Sequence, residues 1–264
     1  MNGRGGHGGS STFLIGGGWD AGAVAAVYGP FVRAAAARAA GRAPRVGCVV
    51  LDEGDGPAQF ARYEPVLRAA GDCEPVPVLV PLGGRFAPAP VLDGVDGLLV
   101  CGGLTPAYQE AFVADAAATA SLLAERGIPY AGFSAGAALA ARDAVVGGWR
   151  ADGVAVCPED AGEDLDEVAV RPGLGLVPFA VDVHAAQWGT LPRLAAAVAA
   201  GRVERGVALD ENTAVEVAAG AGQDGGVVVR VAGLGRAHTV RRAPDGAGVL
   251  VRSYGAGASF TVSG

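Results

Sequence analysis

Short apolar runs alternate with helical stretches through the first two-thirds of the chain, and this alternation limits the possible folds more than any other feature. Residues 12–16, 45–51, 75–80 and 97–101 read as strands, and residues 31–40, 59–70 and 106–126 read as helices. A helix returning the chain to the same edge makes successive strands parallel, and a parallel sheet needs both faces covered. The expected class is therefore α/β, a three-layer sandwich around a mostly parallel central sheet. Further on come a strand at 144–148, an acidic stretch at 159–167 that reads as an exposed loop or lid, and an apolar strand at 175–183 ending in His184. A helix at 191–200 and a strand at 206–209 follow. From about residue 215 only short β runs between Gly and Asp turns remain, which reads as an antiparallel extension of the sheet. Residues 1–11 read as a disordered leader in which His7 is solvated, and residues 12–264 as a single domain.

One junction in this alternation carries chemistry. In Gly132-Phe133-Ser134-Ala135-Gly136 a lone serine stands between two glycines, where an apolar strand at 127–133 meets an alanine-rich helix at 135–142. A serine on so sharp a turn presents its Oγ to open space, beside the positive end of the helix and the N–H of Ala135. The glycines fit because side chains there would collide with neighbouring backbone. The chain has 44 glycines, so the pattern alone has little specificity and its partners must carry the argument.

Composition excludes several classes. No apolar run reaches the roughly 18 residues of a membrane-spanning helix, and the first residues, MNGRGGHGGSS, lack a signal-peptide core. All 20 basic residues are arginine, and they are scattered through a chain of formal charge −7, which argues against a nucleic-acid surface. Cys48, Cys73, Cys101 and Cys157 form no C-x-x-C pair, and Cys48 and Cys101 sit in apolar runs where a thiol acts as a small hydrophobe. The expectation is a reduced cytoplasmic protein without cofactor or metal.

A serine hydroxyl needs a base to take its proton as it attacks, and histidine has the right pKa. His184 ends an apolar strand, where open α/β sheets place their sites, whereas His238 lies among the late β runs and reads as part of a surface hairpin. A third group must hold the imidazole in its working tautomer. Asp152 is the first candidate, 18 residues after Ser134; Asp182, two before the histidine on the same strand face, and Asp143 are the alternatives. Oxyanion donors would be the N–H of Ala135 and, from the strand-end turn Cys101-Gly102-Gly103, that of Gly103.

Five blocks occur in order: Ile15-Gly16-Gly17-Gly18, Gly102-Gly103-x-Thr105, Gly132 to Ala137 around the serine, Gly173-Leu174-Gly175-Leu176 leading to Asp182-Val183-His184, and Ala208-Leu209-Asp210-Glu211-Asn212-Thr213-Ala214. Together they resemble the cyanophycinase and dipeptidase E family of serine peptidases, built on a class I glutamine amidotransferase-like fold. The resemblance implies a metal-free serine hydrolase with Ser134 as nucleophile, His184 as base and an acid on or near Asp152. It further implies cleavage beside aspartyl residues of a peptide or small-molecule substrate, and a homodimer.

The chain departs from the family around the substrate. Leu104 follows the paired glycines where members often carry Asn or Asp. The segment after the histidine keeps one arginine, Arg193, and holds Gln187 and Trp188. Leu104, Thr105, Gln187, Trp188 and Arg193 are thus the expected pocket residues, and their character points to a more apolar or bulkier acyl group than aspartyl. Two other readings share the serine turn: an α/β-hydrolase-type esterase, and a silent binding protein on the same fold. A glutaminase would need a cysteine at the turn.

Overall fold

The computed structural model describes residues 11–218 and 226–262. The leader at 1–11, with His7, lies outside them apart from Ser11. β1 (Thr12–Ile15) is a fully buried strand. It leads through a glycine triplet and a 3-10 turn, Ala21–Ala23, to α1 (Val24–Val27) and α2 (Gly29–Arg38). Pro30 lies in the first turn of α2, where a missing N–H has no intrahelical partner to lose. There follow β2 (Arg45–Asp52), α3 (Gly56–Ala70), β3 (Glu74–Pro81), α4 (Pro88–Leu92) and β4 (Gly97–Val100).

The long helix expected at 106–126 is two helices, α5 (Thr105–Val113) and α6 (Ala116–Arg126). The carbonyl of Ala111, which a continuous helix would offer to Asp115, is taken by the N–H of Phe86 at 2.9 Å, and Asp115 bonds to Phe112 instead. Gly127, left-handed at φ 61°, ends α6 and admits β5 (Tyr130–Phe133). α7 (Ala135–Leu139) stops earlier than its alanines suggest. N–H groups of Leu174, Leu176 and Gly175 cap the carbonyls of Leu139, Ala140 and Ala141. That use of residues 173–177 also explains why the apolar run at 175–183 is not one strand.

After β6 (Asp143–Gly147), β7 (Arg150–Ala151), β8 (Val154–Ala155) and β9 (Ala169–Pro172), only Ala180–Asp182 of that run forms a strand, β10. α8 (Leu191–Ala199), β11 (Arg205–Leu209) and β12 (Thr213–Ala218) follow. The described chain ends with β13 (Val227–Gly233), β14 (Arg236–Arg242), β15 (Val249–Gly255) and β16 (Ser259–Val262).

The main sheet has eight strands in the order β16-β13-β12-β1-β5-β4-β2-β3. From β1 to β3 every pairing is parallel, and β12, β13 and β16 continue the sheet antiparallel. The late β runs therefore extend the central sheet as expected, but β14 and β15 join a second sheet, β10-β11-β14-β15. Alternation along the strands divides the core. Phe13, Ile15, Cys48 and Val50 face α2 and α3 with Phe31 and Leu67, whereas Leu14, Val49, Leu51 and Tyr130 belong to the cluster on the opposite face. Burying a side chain such as Phe31 contributes about 1.5–3 kcal/mol. No helix among the described residues is long and apolar enough to cross a membrane.

Candidate active site

Three neighbouring parallel strands, β1, β5 and β4, end side by side, and the residues just beyond their C-terminal ends build the site. β5 delivers Ser134 at φ 51° and ψ −111°, a backbone state that costs on the order of 1–3 kcal/mol and that the packing must hold. The flanking glycines make the turn possible. A Cβ on Gly132 would lie 2.3 Å from the Gly136 carbonyl oxygen, and one on Gly136 would lie 2.2 Å from that of Val100. Below the turn Phe133 packs edge-on against Tyr63 and obliquely against Trp19, with centroids 5.4 and 4.9 Å away.

His184 lies two residues beyond β10, and its Nε2 is 2.8 Å from Ser134 Oγ. The imidazole is wedged between two supports. Trp188 stacks on it at 3.9 Å with planes 8° apart, and the chain at Gly17 passes so close that a Cβ there would meet Cε1 at 2.1 Å. Gly17 at φ 101° is thus a glycine both for its backbone and for the ring beside it. His184 itself has φ 55°, and its N–H donates to the Gly16 carbonyl at 3.0 Å.

Nδ1 of His184 meets Oε1 of Glu211 at 2.8 Å. An ionised carboxylate only accepts, so the proton sits on Nδ1 and Nε2 is left to accept from the serine. Burial holds the His184 pKa below the ordinary imidazole value, and the hydrogen bond and charge of Glu211 offset part of that depression. Glu211 is fixed in turn by its N–H, which donates to Gln187 Oε1 at 2.8 Å. Asp210, beside it, accepts from the N–H of Ala186 at 3.1 Å and of Arg236 at 2.9 Å, tying the post-histidine segment to the β11 end.

The first candidate for the third position, Asp152, is elsewhere. It is exposed at φ 53° in the tight turn between β7 and β8, and its N–H donates to Glu167. Asp182 is buried and committed to Arg193, with bonds of 2.6 and 2.9 Å, and Asp143 pairs with Arg142. Glu211 lies beyond the reach of sequence reasoning, because its place beside the imidazole is set by register: β10 and β11 pair in parallel with Asp182 opposite Ala208, so His184 and Glu211 leave the sheet at the same edge.

Gly102 donates its N–H to the Tyr63 hydroxyl at 2.8 Å, whereas the N–H groups of Gly103 and Ala135 have no acceptor among the described residues. Leu104, Gly103, Ser134 and Trp188 line a cavity of about 820 Å³. Two expected pocket residues do other work. Arg193 is buried against Asp182 and the Ala161 carbonyl, and Thr105 is buried with its N–H on Glu163. Gln187 lines a second cavity of about 440 Å³, which shares Trp188 and Asp160 with the first. The acidic stretch opens with a 3-10 turn, Glu159–Ala161, continues as loop, and forms a wall of the serine's cavity. His238 is not on the surface: it is buried in β14 between Asp210 and Ser253, at 3.1 and 2.8 Å. No group of three His, Cys, Asp or Glu side chains among the described residues is placed to hold a metal ion.

No protein-family model matches the sequence, and no curated protein matches it. Solved structures do. A peptidase from an acI-B1 Actinobacterium superposes with a TM-score of 0.64 at 16% identity, over 97% of this chain and 98% of that one. A candidate Peptidase E from Listeria monocytogenes EGD-e gives 0.45 at 13% identity, over 86% and 99%. The first of these likenesses shows a common α/β fold.

Proposed function

We propose that the chain is a serine-dependent amide or peptide hydrolase that works through an acyl-enzyme. What carries the reading is the continuous relay Ser134 Oγ to His184 Nε2 and His184 Nδ1 to Glu211, with both contacts at 2.8 Å. In this scheme Ser134 attacks the carbonyl carbon while its proton passes to Nε2. The oxyanion that forms is stabilised by the N–H groups of Gly103 and Ala135, and Glu211 stabilises the imidazolium. His184 then gives the proton to the leaving amine, the C–N bond breaks, and the same nitrogen later activates water to release the acid. A Ser-His-Glu relay replaces the aspartate expected from chain order. The fold shared with a protein described as a peptidase adds support, as does the resemblance of the five sequence blocks.

The test is direct. A neutral fluorophosphonate should label the protein at Ser134, and Ser134→Ala should abolish labelling and lower amide turnover by at least about 10³-fold. Full turnover by the alanine variant would remove the proposal.

A further inference from the structure

The charge lining the serine's cavity has one sign. Among the described residues its walls include Glu53, Glu159, Asp160, Glu163, Asp164 and Asp166, and no arginine. None of these six carboxylates forms an ion pair among the described residues. Elsewhere acids and arginines find each other: Asp96 with Arg42, Asp115 with Arg85, Asp93 with Arg126. The cation that could have received a substrate carboxylate, Arg193, is turned away and bound through two nitrogens to Asp182. Two indoles, Trp149 and Trp188, complete the walls, and Trp188, stacked on His184, is 43% exposed.

We propose that this cavity selects substrates carrying a positive charge beside the scissile amide, on a guanidinium or alkylammonium side chain, and disfavours those carrying a carboxylate there. The inference rests on the serine-hydrolase reading, because the cavity is a substrate site only if Ser134 is the nucleophile. The site is defined by that serine, and the carboxylates determine what it accepts. Unpaired charges of one sign in a cleft with low-dielectric walls focus the field at its mouth and concentrate the opposite charge. An aspartyl group would meet like charges there, which disfavours it against a cation or a neutral group. A cation would also find the exposed indole of Trp188, whereas the Trp149 ring already carries the Arg150 guanidinium 3.8 Å from its centroid. Glu163 agrees with this arrangement: burial pushes its carboxyl above the ordinary range, and the Thr105 backbone and hydroxyl together with the committed Arg193 offset part of that. A bound cation would offset the cost of ionising it.

The experiment measures protection of Ser134 from fluorophosphonate labelling by N-acetyl amides of arginine, lysine, citrulline and glutamate. Citrulline is the neutral near-isostere of arginine. A second series places the same residues on the leaving-amine side. In at least one series the arginyl and lysyl compounds should protect at concentrations tenfold or more below citrulline, with glutamate weakest. The double variant Glu163→Gln, Asp164→Asn should bring the arginine-to-citrulline ratio towards one. Labelling that is protected equally by all four, or best by glutamate, in both series overturns the charge selection and leaves the serine hydrolase standing. A protein that is folded by circular dichroism yet never labelled removes the hydrolase reading, and the selection with it.

Discussion

The proposed mechanism places two conflicting requirements on His184: it must be neutral to accept a proton from Ser134, and it must be stable as the cation once it has done so. Burial serves the first by depressing the pKa, and Glu211 serves the second by its hydrogen bond and charge. The pH dependence follows with a definite sign. Activity should fall on acidification only as the neutral fraction of His184 is lost, so the acid limb of kcat/KM should lie below the ordinary imidazole pKa. Glu211→Gln removes what raises the pKa. Its acid limb should therefore move to still lower pH while kcat drops by about 10²–10⁴-fold. A variant with unchanged kcat and profile would show that Glu211 is not coupled to the base. The sequence offers Asp143, Asp152 and Asp182 for this position and does not bring forward Glu211, because nothing local in the chain tells one carboxylate from another. Only partners separate them: Arg142, the Glu167 contact of the Asp152 N–H, Arg193 and the imidazole.

At the level of elements, Arg193 was expected to reach a substrate but instead acts as a tie. From the first turns of α8 it holds Asp182 of β10 and the carbonyl of Ala161, joining the strand that leads to His184 with the acidic loop. Both partners of the ion pair are buried, so removing one leaves an unpaired charge in the interior. Arg193→Ala should destabilise the fold by about 3–5 kcal/mol, measured by urea unfolding. The double change Arg193→Met, Asp182→Leu should recover much of that loss, because it removes the desolvated charges together. A loss confined to KM in the single variant, with stability unchanged, would restore the substrate role. The same logic of competing partners shaped α5, α6 and α7. Periodicity marked helix from 106 to 126, but the Phe86 N–H takes the Ala111 carbonyl and breaks it. The alanines after Leu139 favoured helix, but residues 174–176 claimed their carbonyls.

Over the whole molecule the formal charge of −7 is unevenly spread, and unpaired carboxylates gather at the cavity that holds Ser134. Attraction exerted through solvent from such a mouth is screened over about 8–10 Å at ordinary salt. For arginyl substrates, kcat/KM should fall several-fold between 20 mM and 500 mM NaCl, and for citrulline analogues it should stay nearly flat, as steady-state kinetics would show. Equal salt dependence in the two series would contradict the uneven field. What the chain determined by itself was whatever depends on neighbours in sequence: the strand and helix alternation, the parallel sheet it requires, and the serine turn with its obligatory glycines. Local sterics and burial periodicity act over a few residues, so they can be read in order. Only the tertiary structure decided which acid met the imidazole, where Arg193 pointed and that the acidic loop walls the cavity. Those choices depend on strand register and on competition among distant groups for the same hydrogen-bond partners, which adjacency along the chain does not encode.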